Sequence, residues 1–260
     1  MGEKSSGLDR DVAVTSKEEF LPGVFRMCLE TGEDFSAQSE PGQFIQIEVS
    51  PDPFPVTRRP FTISRTYNSS IEIVFETVGR GTTILSEVET GSAVRVLGPL
   101  GSGYKLNNGG WLLVGGGLGA AGFPGLVSLV DCRLLLLGAS TEDKLLPVPG
   151  VSLLSITEDG SSGRKGLVTD LLESVQWDSV NNIAVCGPVA MMKAVIQKIP
   201  GEFISATQIS AEARMGCGWG ACEGCSIPKA GGGYLKCCTD GPVFPADSID
   251  WERWVDGVVS

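Results

Sequence analysis

Five of the chain's eight cysteines fall between positions 217 and 238. They read Cys217-Gly-Trp-Gly-Ala-Cys222-Glu-Gly-Cys225, followed downstream by the adjacent pair Cys237-Cys238. A C-x4-C-x2-C run with a further cysteine is a spacing that delivers four thiolates to a [2Fe–2S] cluster. A tight loop must present three of them at once. Gly216, Gly218, Gly220 and Gly224 allow the positive φ angles and close backbone approach such a loop requires. Backbone N–H groups freed by the loop can then bond the cluster sulfurs. The alternative is a structural zinc held by four cysteines, in a zinc-stabilised binding module without redox function. Zinc sites usually pair two C-x2–4-C knuckles, whereas the second half here is an adjacent pair. Neighbouring side chains in an extended chain point opposite ways, so only one of Cys237 and Cys238 can easily serve. The spacing leaves that choice open.

The chain contains no histidine. That removes the commonest general base, the commonest zinc ligand and the Ser-His-Asp type of hydrolase. Met1 to Asp11 is polar and has no hydrophobic signal region. No stretch approaches the roughly 18–20 apolar residues of a membrane span; the longest apolar runs, such as Leu134–Leu137, have the length of a strand. Without a secretion signal, a cysteine cluster reads as a metal or redox site rather than a disulfide framework. A cytoplasmic protein is expected. A net charge of −11 repels phosphate backbones and argues against a nucleic-acid partner. Cys28 and Cys132 stand apart from the cluster and are expected to be small buried apolar residues.

Three segments differ in texture, and together they predict an α+β multidomain chain. Residues 1–103 carry short β-type runs punctuated by Gly and Pro: Val24–Glu30, Gln43–Val49, Phe61–Arg65, Ile71–Thr77 and Ala93–Gly98. The run Ile71-Glu-Ile-Val-Phe-Glu76 begins with the alternation of a half-buried strand. Many short strands at close spacing predict a small antiparallel barrel. Residues 104–206 alternate patterns. Trp111–Val114, Arg133–Leu137, Val151–Ile156 and Ile183–Cys186 read as buried parallel strands, and Val168–Ser174 and Val189–Ile199 read as helices. That is an α/β, Rossmann-like domain. Residues 207–260 are rich in Cys and Gly and too few to hold together by core burial alone, so a bound cluster would supply the missing stabilisation.

Two further motifs carry chemistry. Gly117, Gly119 and Gly122 form G-x-G-x-x-G directly after the Trp111–Val114 strand. In that context glycines let a backbone turn approach a pyrophosphate at a helix N-terminus. Packing duty alone is the competing explanation. Ser140-Thr-Glu142-Asp143 follows the next strand, and acid without arginine there favours NAD over NADP. Upstream, Arg58-Arg59-Pro60-Phe61-Thr62-Ile63-Ser64 lies on a barrel strand. Its R-x-[FY]-[ST] pattern resembles the flavin motif of the ferredoxin–NADP reductase superfamily. An arginine can hold the flavin pyrophosphate, the aromatic can cover the ring or ribose, and the hydroxyl can bond near flavin N5. Val78-Gly-Arg-Gly81-Thr82-Thr83 resembles that superfamily's second phosphate-contacting turn, where a helix begins. Cys186-Gly187-Pro188, with Met191-Met192, resembles the segment beside the nicotinamide.

Together these residues resemble the electron-transfer subunits of class 1B dihydroorotate dehydrogenases. The marks are Arg59-Pro60-Phe61-Thr62, Gly98-Pro99-Leu100-Gly101, Thr157-Glu-Asp-Gly160-Ser-Ser-Gly163 with Lys165-Gly166, and Cys238-Thr-Asp-Gly241-Pro-Val-Phe244. The resemblance covers nearly the whole chain. It implies a flavin barrel, a nicotinamide domain and a [2Fe–2S] module in that order, with FAD, NAD and the cluster as cofactors. It implies Cys217, Cys222, Cys225 and Cys238 as ligands, with Cys237 a spectator. FAD would be lined by Arg59 to Thr62, Val74, Phe75, Glu76, Gly81 and Thr82, and NAD would meet Gly117, Gly119, Gly122, Cys186, Gly187 and Pro188. It further implies an FMN-containing catalytic partner, two of each chain per assembly, and a role in pyrimidine biosynthesis. Electrons would pass from dihydroorotate through partner FMN, cluster and FAD to NAD+, and no residue of this chain would do acid–base work on the substrate. The rival within the superfamily is a reductase subunit serving a hydrogenase, a ferredoxin or a glutamate-synthase-like partner. Two departures stand out. Ala120-Ala121-Gly122-Phe123-Pro124 replaces the family's pair of prolines and full helix, so the nicotinamide domain is expected to be shortened. Glu76 stands where the family often has a basic residue.

Overall fold

The computed structural model describes residues 8–49 and 57–255. The parts of the first and last segments at 1–7, 50–56 and 256–260 lie outside the described residues.

Six antiparallel strands close a barrel. They are β1 (Leu8–Leu21), β2 (Val24–Glu30), β3 (Phe44–Glu48), β4 (Arg59–Thr66), β5 (Ser70–Glu76) and β6 (Ala93–Leu100), in spatial order β1-β2-β5-β4-β3-β6. The last five match the β-type runs of the sequence. The first is an addition. Val12 and Val14 are buried within a stretch otherwise rich in charge, and a register break between Val14 and Ser16 marks a bulge. Pairing with β2 along one side and β6 along the other makes β1 the closing strand, so no edge is left open. Met27, Leu29, Ile45, Ile47, Ile63, Ile71, Ile73 and Phe75 fill the interior. Helix α1 (Glu33–Gln38) adds Phe35 to that core, and helix α2 (Arg80–Glu87) adds Leu85.

The second sheet has seven strands. They are β7 (Gly110–Gly116), β8 (Asp131–Ala139), β9 (Leu153–Thr157), β10 (Arg164–Lys165), β11 (Asn182–Cys186) and β12 (Thr207–Ser210), with β15 (Val243–Pro245) from the cysteine-rich segment. The order β10-β9-β8-β7-β11-β12-β15 is parallel except for β15, which pairs antiparallel with β12. Chain order reverses between β7 and β11, and such a switch point opens a crevice at the strands' carboxyl ends. β7 is buried throughout.

The layers over this sheet are thin, as the shortened domain requires. A 3-10 turn over Gly117–Gly122 and the five-residue helix α3 (Phe123–Val127) connect β7 to β8. A three-residue turn, Glu142–Lys144, stands between β8 and β9. The expected helix at Val168–Ser174 is a 3-10 segment, and α4 (Val189–Lys198) is the long helix of this unit. Two expectations need correction. β9 is not buried throughout: Leu153 and Leu154 are exposed because so little chain covers that end of the sheet. Cys28 and Cys132 are half-buried rather than buried.

The cysteine-rich segment forms a hairpin, β13 (Ser226–Pro228) with β14 (Tyr234–Lys236), before donating β15 to the large sheet. Its buried Cys225, Cys237, Cys238 and Phe244 share one core with Phe44 and Leu100 of the barrel and Leu112 and Val114 of the sheet. The cluster loop is therefore anchored to both larger units, which a small Gly-rich segment needs.

Candidate redox site

The cysteines lie in two groups. Sγ of Cys225 is 3.2 Å from Sγ of Cys238, and the Cys238 N–H donates to Cys225 Sγ at 3.4 Å. Cys217 and Cys222 lie on the other arm of the loop, and the Cys222 thiol and N–H both act to lower the Cys217 pKa. The Ala221 N–H donates to Cys217 Sγ at 3.3 Å. Among the described residues no three His, Cys, Asp or Glu side chains converge to hold a single metal ion. A zinc site would gather four donors at one point. Two irons each taking two thiolates fit this arrangement better.

The backbone produces this arrangement. Asp240 Oδ2 accepts from the Lys236 N–H at 2.8 Å, and the Asp240 N–H donates to the Lys236 carbonyl at 2.8 Å. This turn sends the two adjacent thiols apart. Cys238 faces Cys225, while Cys237 is wholly buried in the apolar core and its N–H donates to the Cys225 carbonyl. The thiol pKa values follow. Burial works to raise that of Cys217, but the N–H groups of Trp219 and Cys222, the Cys222 thiol and the Ala221 N–H outweigh it and hold it at about 6. Burial, and then its pairing with Cys225, pushes Cys238 up to about 12. Burial raises Cys237 as well, with the neighbouring Cys225 and Cys238 adding to the effect. A thiol at about 6 is a ready metal ligand, and the raised Cys238 thiol needs a cation to ionise it.

On the barrel, Arg59 lies at the head of β4 with its stem against Gly81, where a Cβ would come within 3.0 Å of Arg59 Nε. Gly81 belongs to the first turn of α2. Thr82 Oγ1 accepts from the N–H groups of Val78 and Gly79 and so caps this helix. A guanidinium beside free helix N–H groups is a cradle for a diphosphate. Arg58 is otherwise engaged, with ion pairs to Asp9 and Glu48. Thr62 faces outward, and a Cβ at Gly122 would lie 3.0 Å from its Cγ2. Phe61 corrects the expectation of an aromatic cover. It turns inward with Ile63, edge-on to Phe75 at 5.6 Å, because strand alternation puts it opposite to Thr62. Phe75 is likewise interior, stacked on Phe25. Val74 faces the other way, into a core shared with Ala120 and Ala121. Glu76 accepts from Lys144 Nζ at 2.5 Å, which ties the barrel to the loop after β8.

The glycine loop sits where β7 ends. Gly117 has φ +52 and open space around it. Gly119 is pressed against the Cys186–Gly187 backbone, where a Cβ would lie 2.7 Å from Gly187 N and Cys186 O. Two of the three motif glycines thus permit close packing, one on Thr62 and one on Gly187, and the loop begins as a 3-10 turn rather than a full helix. Pro188 precedes α4 directly. Burial pushes the Cys186 thiol up to about 12, with the Glu212 charge adding to it. Two hollows are found in this part of the molecule, and the first adjoins the loop. One of about 160 Å³ lies between the barrel and residues 146–149, lined among others by Arg26, Ser64, Glu72, Val74 and Ala121. The other, about 540 Å³ and open, is lined by Leu21, Pro22, Thr141, Glu142, Asp143, Asp159 and Ser161, with three acids and no base.

Sequence reasoning missed one residue at this site. Gln46 of β3 is fully buried, and among the described residues neither end of its amide is hydrogen-bonded. Leaving such a group unsatisfied costs roughly 1–3 kcal/mol. Its signal was a lone polar residue inside the otherwise apolar run Phe44–Ile47.

Residues 212–250 match the family model described as the iron-sulfur cluster binding domain of dihydroorotate dehydrogenase B. The chain is 34% identical over 255 residues to the dihydroorotate dehydrogenase B (NAD(+)) electron transfer subunit of Lysinibacillus sphaericus, covering 91% of this chain and 96% of that one. It is 36% identical over 244 residues to the subunit of the same name from Caldanaerobacter subterraneus, with 91% and 96% covered. Among solved structures it is similar to a chain of an NADH-dependent reduced ferredoxin–NADP oxidoreductase, at TM-score 0.79 and 27% identity over 97% of this chain and 92% of the other. A ferredoxin reductase of carbazole 1,9a-dioxygenase shares the fold at TM-score 0.63 and 18% identity, with 79% and 69% covered.

Proposed function

Because this chain belongs to the family of dihydroorotate dehydrogenase B electron-transfer subunits, we propose that its cysteine cluster and its barrel–sheet seam form the two ends of one electron relay. The chain is a flavo-iron-sulfur oxidoreductase subunit using FAD, [2Fe–2S] and NAD, and its partner is a catalytic dihydroorotate dehydrogenase subunit. When bound, FAD converts between hydride and single-electron transfer, and the cluster carries one electron at a time.

The observation that carries the reading is the pairing of Cys225 with Cys238 at the seam of both larger units, with Cys217 and Cys222 on the same glycine-rich loop. These four thiolates are assigned as the cluster ligands. Arg59, beside the first turn of α2 at Gly81 and Thr82, holds the flavin diphosphate, and Pro60, Thr62, Val74 and the Glu76 backbone line its ring system. Phe61 and Phe75 support that surface from inside the barrel. Gly117, Gly119 and Gly122, with Cys186, Gly187 and Pro188, form the nicotinamide side at the switch point. The acidic cleft at Glu142, Asp143 and Asp159 repels a ribose 2′-phosphate, which supports NAD as the dinucleotide. The work divides into residues 1–103 for flavin, 104–206 for nicotinamide and 207–260 for the cluster, the last segment also lending β12 and β15 to the sheet. The partner carries FMN, the assembly holds two copies of each chain, and it works in the cytoplasm. No helix among the described residues is long and apolar enough to cross a membrane.

Co-purification with the catalytic subunit, followed by an assay of dihydroorotate-dependent NADH formation, tests the reading. Orotate and NADH should appear in equal amounts. A complex that carries flavin and cluster yet forms no NADH from dihydroorotate would refute it.

A further inference from the structure

Strand β3 carries one polar side chain that the barrel does not use. Its neighbours Ile45 and Ile47 point into the barrel core, so alternation turns Gln46 outward. There it is covered completely, and among the described residues neither Oε1 nor Nε2 has a hydrogen-bond partner. What covers it is the cysteine loop. A Cβ at Gly218 would lie 2.7 Å from Gln46 Nε2, 2.8 Å from Cγ and 3.1 Å from Cδ. Gly218 directly follows Cys217 and holds φ +82, so glycine is required there both for the backbone and for the amide pressed against it.

The strand of Gln46 is hydrogen-bonded to the flavin strand. Gln46 pairs with Pro60 of β4, between Arg59 and Phe61. Proline has no N–H to offer a side-chain carbonyl. Gln46 thus joins two segments distant in sequence: its backbone pairs with the Arg59–Thr62 strand, and its amide, with unused N–H donors, lies against the loop that carries Cys217.

We propose that Gln46 is a positioning residue that tunes the cluster: its Nε2 protons are donated to sulfur held in the Cys217 loop. This rests on reading that loop as the [2Fe–2S] site. Reduction adds negative charge to the cluster, so an N–H donor stabilises the reduced form more than the oxidised form and raises the potential. Gln46 is the point at which the barrel wall sets the driving force between the two centres.

The test uses the purified complex with Gln46→Leu and Gln46→Met, both near the native size and both without donors. Iron, acid-labile sulfide and FAD are measured first, and the cluster is then titrated by EPR-monitored potentiometry. Wild-type iron content with altered g-values is expected. The reduction equilibrium should fall about tenfold, which is about 59 mV for a one-electron couple. An unchanged potential and spectrum in a loaded variant would overturn the proposal, and if one variant fails to fold the other decides. Loss of iron from both variants with FAD retained would also overturn it, since the amide would then hold the loop rather than tune the cluster. Wild-type protein lacking iron and sulfide would refute the site itself, a separate failure.

Discussion

Cys237 and Cys238 are adjacent, yet their substitution by serine should have opposite consequences. Cys238 lies 3.2 Å from its partner sulfur, whereas Cys237 is wholly buried in the core that joins the three parts of the chain. Cys237→Ser keeps the four ligands and places a hydroxyl where a weakly polar thiol packs. A buried hydroxyl without a good acceptor costs roughly 1–3 kcal/mol. With an unfolding entropy of about 2.1 cal/mol/K per residue, this 260-residue chain should lose about 2–5 °C in its apparent midpoint. Iron and labile sulfide should stay at the wild-type level. Cys238→Ser instead leaves Cys225 without its partner, and iron content should fall below about a tenth of wild type, in line with the large share of stability that structural metal sites supply. Both quantities are read on the same preparation, by iron and sulfide analysis and by thermal unfolding monitored by circular dichroism. Iron lost from Cys237→Ser and kept by Cys238→Ser would refute the argument from the Lys236–Asp240 turn.

Gly119→Ala should lower NAD affinity while FAD stays bound, because its Cβ would collide with the Gly187 backbone at 2.7 Å; overpacking of this kind costs about 1–3 kcal/mol. Flavin reduction by NADH in stopped flow should require roughly ten times more NADH, about 1.4 kcal/mol. Asp9 ties β1 to Arg58 and Arg95 at the barrel closure. Burial works to raise its pKa, but the two guanidinium groups outweigh it and hold the carboxyl below the ordinary value of 3.8. Its contribution is therefore complete above the unfolded value and lost as pH falls through the lower folded one. Asp9→Asn should cost less than about 1 kcal/mol at neutral pH, since the pair is partly exposed, with the difference vanishing in strong acid. Urea unfolding at both pH values checks this.

Much of the local architecture was legible because local spacing encodes local geometry. The loop Cys217–Cys225, the glycine turn after β7 and the alternation in β5 each depend on residues a few positions apart. The charged stretch before Leu21 concealed β1, since Val12 and Val14 are its fully buried residues among those whose burial is described, and its pairing partners lie elsewhere in the chain. Phe61 was legible as part of a motif but not in its direction, which strand register against β3 and β5 decides.

The sequence by itself determined the cysteine loop, the order of the three segments and the thinness of the layers over β8 and β9. Each is a matter of spacing, composition or chain length. The tertiary structure alone decided which of two adjacent thiols meets Cys225, that Gly119 packs on Gly187, and that Gln46 is aimed at Gly218. Those contacts join residues far apart in the chain, and burial and steric fit act between them only once the barrel, sheet and cysteine segment have closed on one another.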